Sequence, residues 1–231
     1  MLFRSDDVVT KTTCGLIVLP RDHYLIVRKD RPQESMNRIG KSACDQCSYC
    51  TEFCPRYLLG YDVQPHKVMR SLGFTASGSA LWNQSAELCC ACGLCTLYAC
   101  PEDLFPKEAC DQAKGDLRTA GIQYVQKHEP LVHPMKEFRR VPFAMLRRRL
   151  KVEEYESETP YEPGEMQPAS VRILLKQHAG QSASPVVRAG DRVRRGQRIA
   201  DVGAGELGAA IHASIDGAVR AVTDTAIEIA A

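Results

Sequence analysis

Two stretches concentrate the side chains that could do chemistry: Cys44 to Pro55, CDQCSYCTEFCP, and Cys89 to Pro101, CCACGLCTLYACP. The first is spaced Cys44-x2-Cys47-x2-Cys50-x3-Cys54-Pro55. The second is spaced Cys89-x2-Cys92-x2-Cys95-x4-Cys100-Pro101. Thiolates are soft ligands that select iron–sulfur clusters or zinc. Three cysteines at steps of three wrap one corner of a cubane, each reaching a different iron, and the fourth is carried away by the turn and the proline. Structural zinc is the competing reading, since two C-x2-C pairs make an all-cysteine site. Each run, however, already offers three thiolates at cluster spacing and a closing Cys-Pro, so the doubled pattern favours two [4Fe–4S] clusters.

In two-cluster proteins with this spacing the fourth cysteine ligates the other cluster. The expected ligands are therefore Cys44, Cys47, Cys50 and Cys100 for one cluster, and Cys54, Cys89, Cys92 and Cys95 for the other. That crossing ties the runs together and keeps the clusters within electron-exchange range. Only Cys89 keeps the x2 step to Cys92, so the adjacent Cys90 is assigned to packing or to the surroundings of the cluster. The x4 gap before Cys100 departs by one residue from the first run. Cys14 and Cys110 stand alone and read as small buried hydrophobes. His66 is expected to cap or hydrogen-bond near the site rather than ligate. Ser48, Ala91 and Gly93 are small enough to let backbone N–H groups approach cluster sulfurs, which helps set the potential.

Composition narrows the class. The chain has 231 residues, a net charge of +2 and 11 cysteines, nine of them between Cys44 and Cys100. That charge points to neither nucleic acid nor an acidic polymer as partner. No run approaches the roughly 18 apolar residues of a membrane span. The start, MLFRSDDVVTKTT, lacks the features of a secretory signal. The expected location is a reducing cytoplasm, where metal explains clustered cysteines better than disulfides.

Four regions must position these residues. Residues 1–35 read as β-like, from VVTKTTCGLIVLP and HYLIVRK, either the tail of a domain or a partner for something later in the chain. Residues 36–125 carry both cysteine runs at helix starts and turns; PHKVMRSLGF, GSALWNQSAELC and FPKEACDQAKGDLRTAGI have helical spacing. Residues 126–170 form a connector, with a basic helix candidate MKEFRRVPFAMLRRRL interrupted by Pro142 and an acidic, Pro-rich linker. The basic segment reads as a solvated helix packed on the cluster domain, with a membrane-surface or docking element as the alternative. Residues 171–231 hold six short strand candidates, VRILLKQH, PVVRAGDRV, QRIADV, AAIHASIDG, AVRAVTDT and AIEIAA, separated by Gly-Asp and Asp-Gly turns, a compact barrel or sandwich. The fold class expected is α+β and multidomain.

The residues VVTKTTCGLIVLP…DHYLIVRK, CDQCSYCTEFCPRYLLG…PHKVMRSL and CCACGLCTLYACP resemble the C subunit of Rnf electron-transport complexes. They resemble still more the related PduS-type cobalamin reductases of bacterial microcompartments. QHAGQSASPVVRAGDRVRRGQRIADV…LGAAIHASIDGAVRAV looks like that family's barrel-sandwich hybrid domain, and its place after the clusters follows the PduS order. The resemblance implies a partial β-grasp segment of the SLBB type over 1–35, an α-helical ferredoxin-like two-cluster domain, and the RnfC-like hybrid domain at 171–231. It also implies an N-terminal flavin domain for FMN and NADH, to which no residue here corresponds. Related biotin- and lipoyl-bearing domains present a modified lysine on the hairpin matching IHASIDG; this hairpin has none, and His212 and Asp216 read as turn and packing residues.

No G-x-G-x-x-G after a strand, Walker loop, nucleophile elbow or zinc-protease motif occurs, and GAGELG at 203–208 lies between strands rather than before a helix. The expected function is electron relay from a flavin/NADH site through two clusters to an acceptor: cobalamin, with NAD regeneration in a microcompartment. The expected partners are a redox protein or cobalamin enzyme and compartment shell or cargo proteins. The alternatives are a subunit of an Rnf-type membrane complex and a zinc-stabilised structural protein.

Overall fold

The computed structural model describes residues 8–13, 17–73, 83–155, 158, 160–161, 163–164 and 167–231. Cys14, the end of PHKVMRSLGF, most of GSALWNQ before Asn83 and parts of the acidic linker lie outside them. The chain falls into two compact units, Leu19–Ser157, and Leu2–Val18 with Glu158–Ala231. Helix and sheet are segregated between them, a mixed architecture as expected.

The first unit is helical. It contains α1 (Tyr24–Lys29), α2 (Gln33–Ala43), α3 (Tyr49–Glu52), α4 (Pro55–Leu58), α5 (Pro65–Ser71), α6 (Pro106–Thr119) and α7 (Phe143–Arg149). Short 3-10 turns occupy Gln84–Leu88, Pro134–Arg139 and Glu153–Tyr155, and Cys95–Ala99 forms a π-type turn. Prolines open α4, α5 and α6, where the missing N–H costs nothing because the first-turn donors have no helical acceptor. The core gathers Val68 and Met69 of α5 with Ala109, Cys110 and Ala113 of α6, against Ala86, Cys100 and Leu104. α2 lies close on α5: a Cβ on Gly40 would stand 3.0 Å from the Met69 methyl.

Two expectations fail here. The described residues of VVTKTTCGLIVLP, 8–13 and 17–20, form no strand. HYLIVRK is a helix, not a strand. The His23 imidazole caps it by accepting from the Leu25 N–H at 3.2 Å, and Arg28 and Lys29 sit in its last turn, where cations suit the helix dipole. A run of three apolar residues fits either period, and local capping decides between them.

The second unit is all β around its core. A four-stranded antiparallel sheet runs β1 (Ser170–Leu174), β7 (Ala226–Ala230), β6 (Gly217–Val222), β3 (Arg192–Val193). A three-stranded sheet runs β2 (Ser184–Pro185), β4 (Arg198–Asp201), β5 (Ile211–His212). PVVRAGDRV, read as one strand, is two strands on different sheets. Gly190, at φ 94°, makes the corner, and Asp191 accepts the Arg188 N–H at 2.8 Å. The alternation of β7 puts Ile227 and Ile229 inward and Glu228 outward, and the two isoleucines pack with Ile199, Ile211 and Val219. Lys11 of the N-terminal stretch joins this unit through its Nζ, which donates to the Ala210 carbonyl at 2.6 Å. In the IHASIDG hairpin Asp216 accepts the Arg195 N–H at 2.6 Å, a turn role.

Ile229 is fully buried in this core. Ile229→Ala is expected to cost about 2–5 kcal/mol, read from the denaturant midpoint of unfolding of the sheet unit.

Candidate metal centre

The two cysteine runs share one backbone plan. Gln46 and Ser48 have φ of 63° and 68°; Ala91 and Gly93 have φ of 57° and 81°. In each run these are the residues just before and just after the second cysteine. A left-handed residue with a side chain costs roughly 1–2 kcal/mol, so three non-glycine examples need a compensating gain. Such turns aim successive N–H groups into one concavity, the arrangement that favours anions and iron–sulfur sites. Sulfurs receive donors accordingly. The Ala91 N–H donates to Cys89 Sγ at 3.3 Å, the Leu104 N–H to Cys100 Sγ at 3.3 Å, and the Gln46 side-chain amide to Cys44 Sγ at 3.1 Å.

Short elements then deliver the remaining thiols. Cys50 lies in α3, Cys54 caps α4, Cys95 opens the π-type turn and Cys100 follows it. Cys50, Cys54, Cys95 and Cys100 are buried, Cys44 and Cys89 half-buried, and Cys47 and Cys92 exposed.

Burial pushes the Cys50 thiol up to about 12, and Cys100, Cys44 and Cys47 add repulsion. Cys95 is driven up by burial and then by Cys50, Cys89, Cys54 and Cys92. Burial pushes Cys54 up to about 11 against the pull of the Tyr57 and Arg56 amides, with Cys92 and Cys89 adding. Cys100 rises by burial against the Leu104 and Glu102 amides, and Cys47 and Cys92 rise mainly by burial. Cys89 moves the other way, to about 6, first because the Cys110 thiol lies beside it. Cys110 is fully buried on α6 and its own thiol is pushed well up, chiefly by Cys89. Cys50 thus feels Cys100, Cys44 and Cys47; Cys54 feels Cys92 and Cys89; and Cys95 feels Cys50, Cys89, Cys54 and Cys92, with Cys110 beside Cys89.

Among the described residues no three Cys, His, Asp or Glu side chains converge as a single metal ion requires. A zinc draws four sulfurs to about 2.3 Å from one point, whereas a cubane spreads its thiolates over four irons. Donors aimed at the sulfurs of Cys44, Cys89 and Cys100 fit the cluster, and the Asp45 carboxylate accepts the Cys47 N–H at 3.2 Å.

Several supporting residues carry no signal in the cysteine spacing. Arg28 of α1 and Arg149 of α7 both grip the Cys100–Leu104 loop. Arg28 donates to the carbonyls of Asp103 (2.6 Å), Thr96 (3.3 Å) and Leu104. Arg149 Nη2 donates to the Cys100 carbonyl at 2.6 Å and to Asp103 Oδ1 at 2.8 Å. Lys114 of α6 donates to the Cys89 carbonyl at 2.9 Å, and Arg139 pairs with Glu52 at 2.6 Å beside α3. His66 hydrogen-bonds rather than standing at a sulfur: its backbone N–H donates to Thr51 Oγ1 at 3.2 Å, and its Nδ1 lies 2.7 Å from the same hydroxyl. That ties α5 to the residue after Cys50.

Residues 43–105 match the 4Fe-4S dicluster domain, and residues 152–231 match the RnfC barrel sandwich hybrid domain. The chain is 38% identical over 224 residues to the cobalamin reductase PduS of Salmonella typhimurium and 34% identical to that of Citrobacter freundii. Each alignment covers 97% of this chain and 49% of the relative, so the chain spans about half the length of the curated relatives it matches. No solved structure matches it.

Burial lowers the His66 pKa, with Lys67 and Arg70 adding. The unfolded chain, with an ordinary histidine near 6.5, therefore takes up the proton first as pH falls. His66's contribution to stability is full above about pH 6.5 and is lost as pH falls through its lower folded value. Unfolding of the helical unit between pH 8 and 5 should show a steeper loss of stability for wild type than for His66→Gln.

Proposed function

As a relative of the PduS cobalamin reductases that carries a 4Fe-4S dicluster domain followed by an RnfC barrel sandwich hybrid domain, the chain is, we propose, the iron–sulfur relay of a reductase of that kind. The observation that carries the reading is the backbone plan the two runs share, left-handed residues on either side of Cys47 and of Cys92, with donors aimed at the sulfurs of Cys44, Cys89 and Cys100. We assign Cys44, Cys47, Cys50 and Cys100 to one [4Fe–4S] cluster and Cys54, Cys89, Cys92 and Cys95 to the other. When bound, the clusters supply reversible one-electron storage. The chain's residues hold and insulate them: thiolates anchor, amides and the Gln46 side chain donate to sulfurs, and the α5–α6 core excludes water.

The domain reading follows the same lines: an α-helical ferredoxin-like domain over 36–125, a connector over 126–170 and the hybrid domain over 171–231. An SLBB-type β-grasp reading of 1–35 has to accommodate α1, and the resemblance alone supports it. FMN and NADH are assigned to no residue of this chain. The proposed acceptor is the corrin cobalt of cobalamin, with NAD regeneration as the companion outcome, in a cytoplasmic microcompartment. Redox partners and shell or cargo proteins are the proposed neighbours. Among the described residues no helix is long and apolar enough to cross a membrane, so an Rnf-type role would need other subunits to reach the bilayer.

Anaerobically purified protein should contain about eight irons and eight sulfides, with spin-coupled EPR signals after dithionite reduction. About two zincs without sulfide after attempted reconstitution would favour the structural alternative. NADH added without flavin should leave the cluster absorbance unbleached.

A further inference from the structure

Among the described residues Arg28 is a buried cation without an anionic partner. It is only 9% exposed, and its hydrogen bonds go to three neutral carbonyls, those of Asp103, Thr96 and Leu104. Its Nε is buried and, among the described residues, has no hydrogen-bond partner. Its guanidinium also lies 4.2 Å from the Phe105 ring centroid, a desolvated face. A second guanidinium, Arg149, reaches the same loop and takes the Asp103 carboxylate. Buried charges in proteins are paired, because an uncompensated one costs several kcal/mol. Arg149 takes the Asp103 carboxylate, so among the described residues Arg28 is left without a countercharge.

The geometry says where that countercharge belongs. The carbonyls that Arg28 holds flank Cys100 on both sides, at Thr96 and at Asp103 and Leu104. The Leu104 N–H donates to Cys100 Sγ while the Leu104 carbonyl accepts from Arg28, so one peptide segment links cation and sulfur. We propose that Arg28 is a positioning residue whose charge balances the anionic cluster held through Cys100 and raises the reduction potential of that cluster above what its four thiolates alone would set. Reduction adds negative charge, which a nearby cation in a low-dielectric interior stabilises. The inference rests on the relay reading, in which Cys100 is a cluster ligand.

Anaerobic redox titration followed by EPR tests it on wild type, Arg28→Gln and Arg28→Lys. Arg28→Gln should lower one of the two midpoint potentials and leave the other in place. Arg28→Lys, which keeps the charge but not the forked donors, should restore most of that shift. An unmoved pair of potentials in Arg28→Gln, or an equal drop in both substitutions, would overturn the proposal, the latter by reducing Arg28 to a scaffold. If Arg28→Gln takes up no iron, the decision passes to Arg28→Lys: wild-type potentials with full iron support the charge role, and a lowered potential sinks it. Wild type that holds no iron and sulfide after reconstitution defeats the relay reading itself, and this inference with it.

Discussion

The helical unit depends on gathering sulfur atoms where water cannot screen them. Burial is the largest cause that drives Cys50 and Cys54 up to about 12 and 11; neighbouring thiols add to it, and backbone amides pull against it. Without metal, ionising any of these thiols is opposed by the dry surroundings and by the next thiol. An iron core reverses both terms, since a coordinating thiol is deprotonated outright. The rest of the unit can be understood as support for that exchange: prolines that start helices without wasting donors, left-handed residues that turn amides toward sulfur, and an α5–α6 core that keeps solvent out. Metal binding of this kind is coupled to folding, because the ligands do not stand together in the unfolded chain.

Under the crossed assignment the coupling is tighter still. Each cluster takes three thiolates from one run and one from the other, so neither run completes a site by itself. Cys50 of α3 and Cys95 of the π-type turn would then serve different clusters. Stability and electron passage then share a cause: the cross-link that holds α3 to the π-type turn also shortens the path between clusters.

How much of this was legible in the sequence depends on the range over which each signal acts. Cluster ligation is local, and its x2, x2, x3 spacing is written in consecutive residues. The alternation of AIEIA is equally local and gives β7 its inward isoleucines. HYLIVRK was misread because three apolar residues carry no usable period and the deciding bond is an imidazole cap. PVVRAGDRV was read as one strand because a Gly-Asp corner between sheets has the same composition as a tight turn within one. Arg28, Arg149 and Lys114 escaped for a different reason: each acts on a cysteine loop far away in sequence, and nothing in the spacing of one run indicates which distant cation will reach it. His66 was placed correctly as a hydrogen-bonding residue, but its partner, Thr51, could be named only once α5 was seen against α3.

The two runs are near-copies in backbone, with left-handed residues at matching places, yet their surroundings differ. The Cys100 loop is clasped by two guanidinium groups, whereas Cys89 has a buried thiol and the ammonium of Lys114 on its carbonyl. A pair of identical clusters in identical pockets would share an electron evenly and favour neither end of a relay. With the same cluster type and a near-identical ligand set proposed for both sites, any bias would come from hydrogen bonds, burial and nearby charge. Those are supplied by α1, α6 and α7, elements outside the cysteine motifs. On the proposed reading the motifs set how many electrons the unit stores, and the helices around them bias where an electron rests.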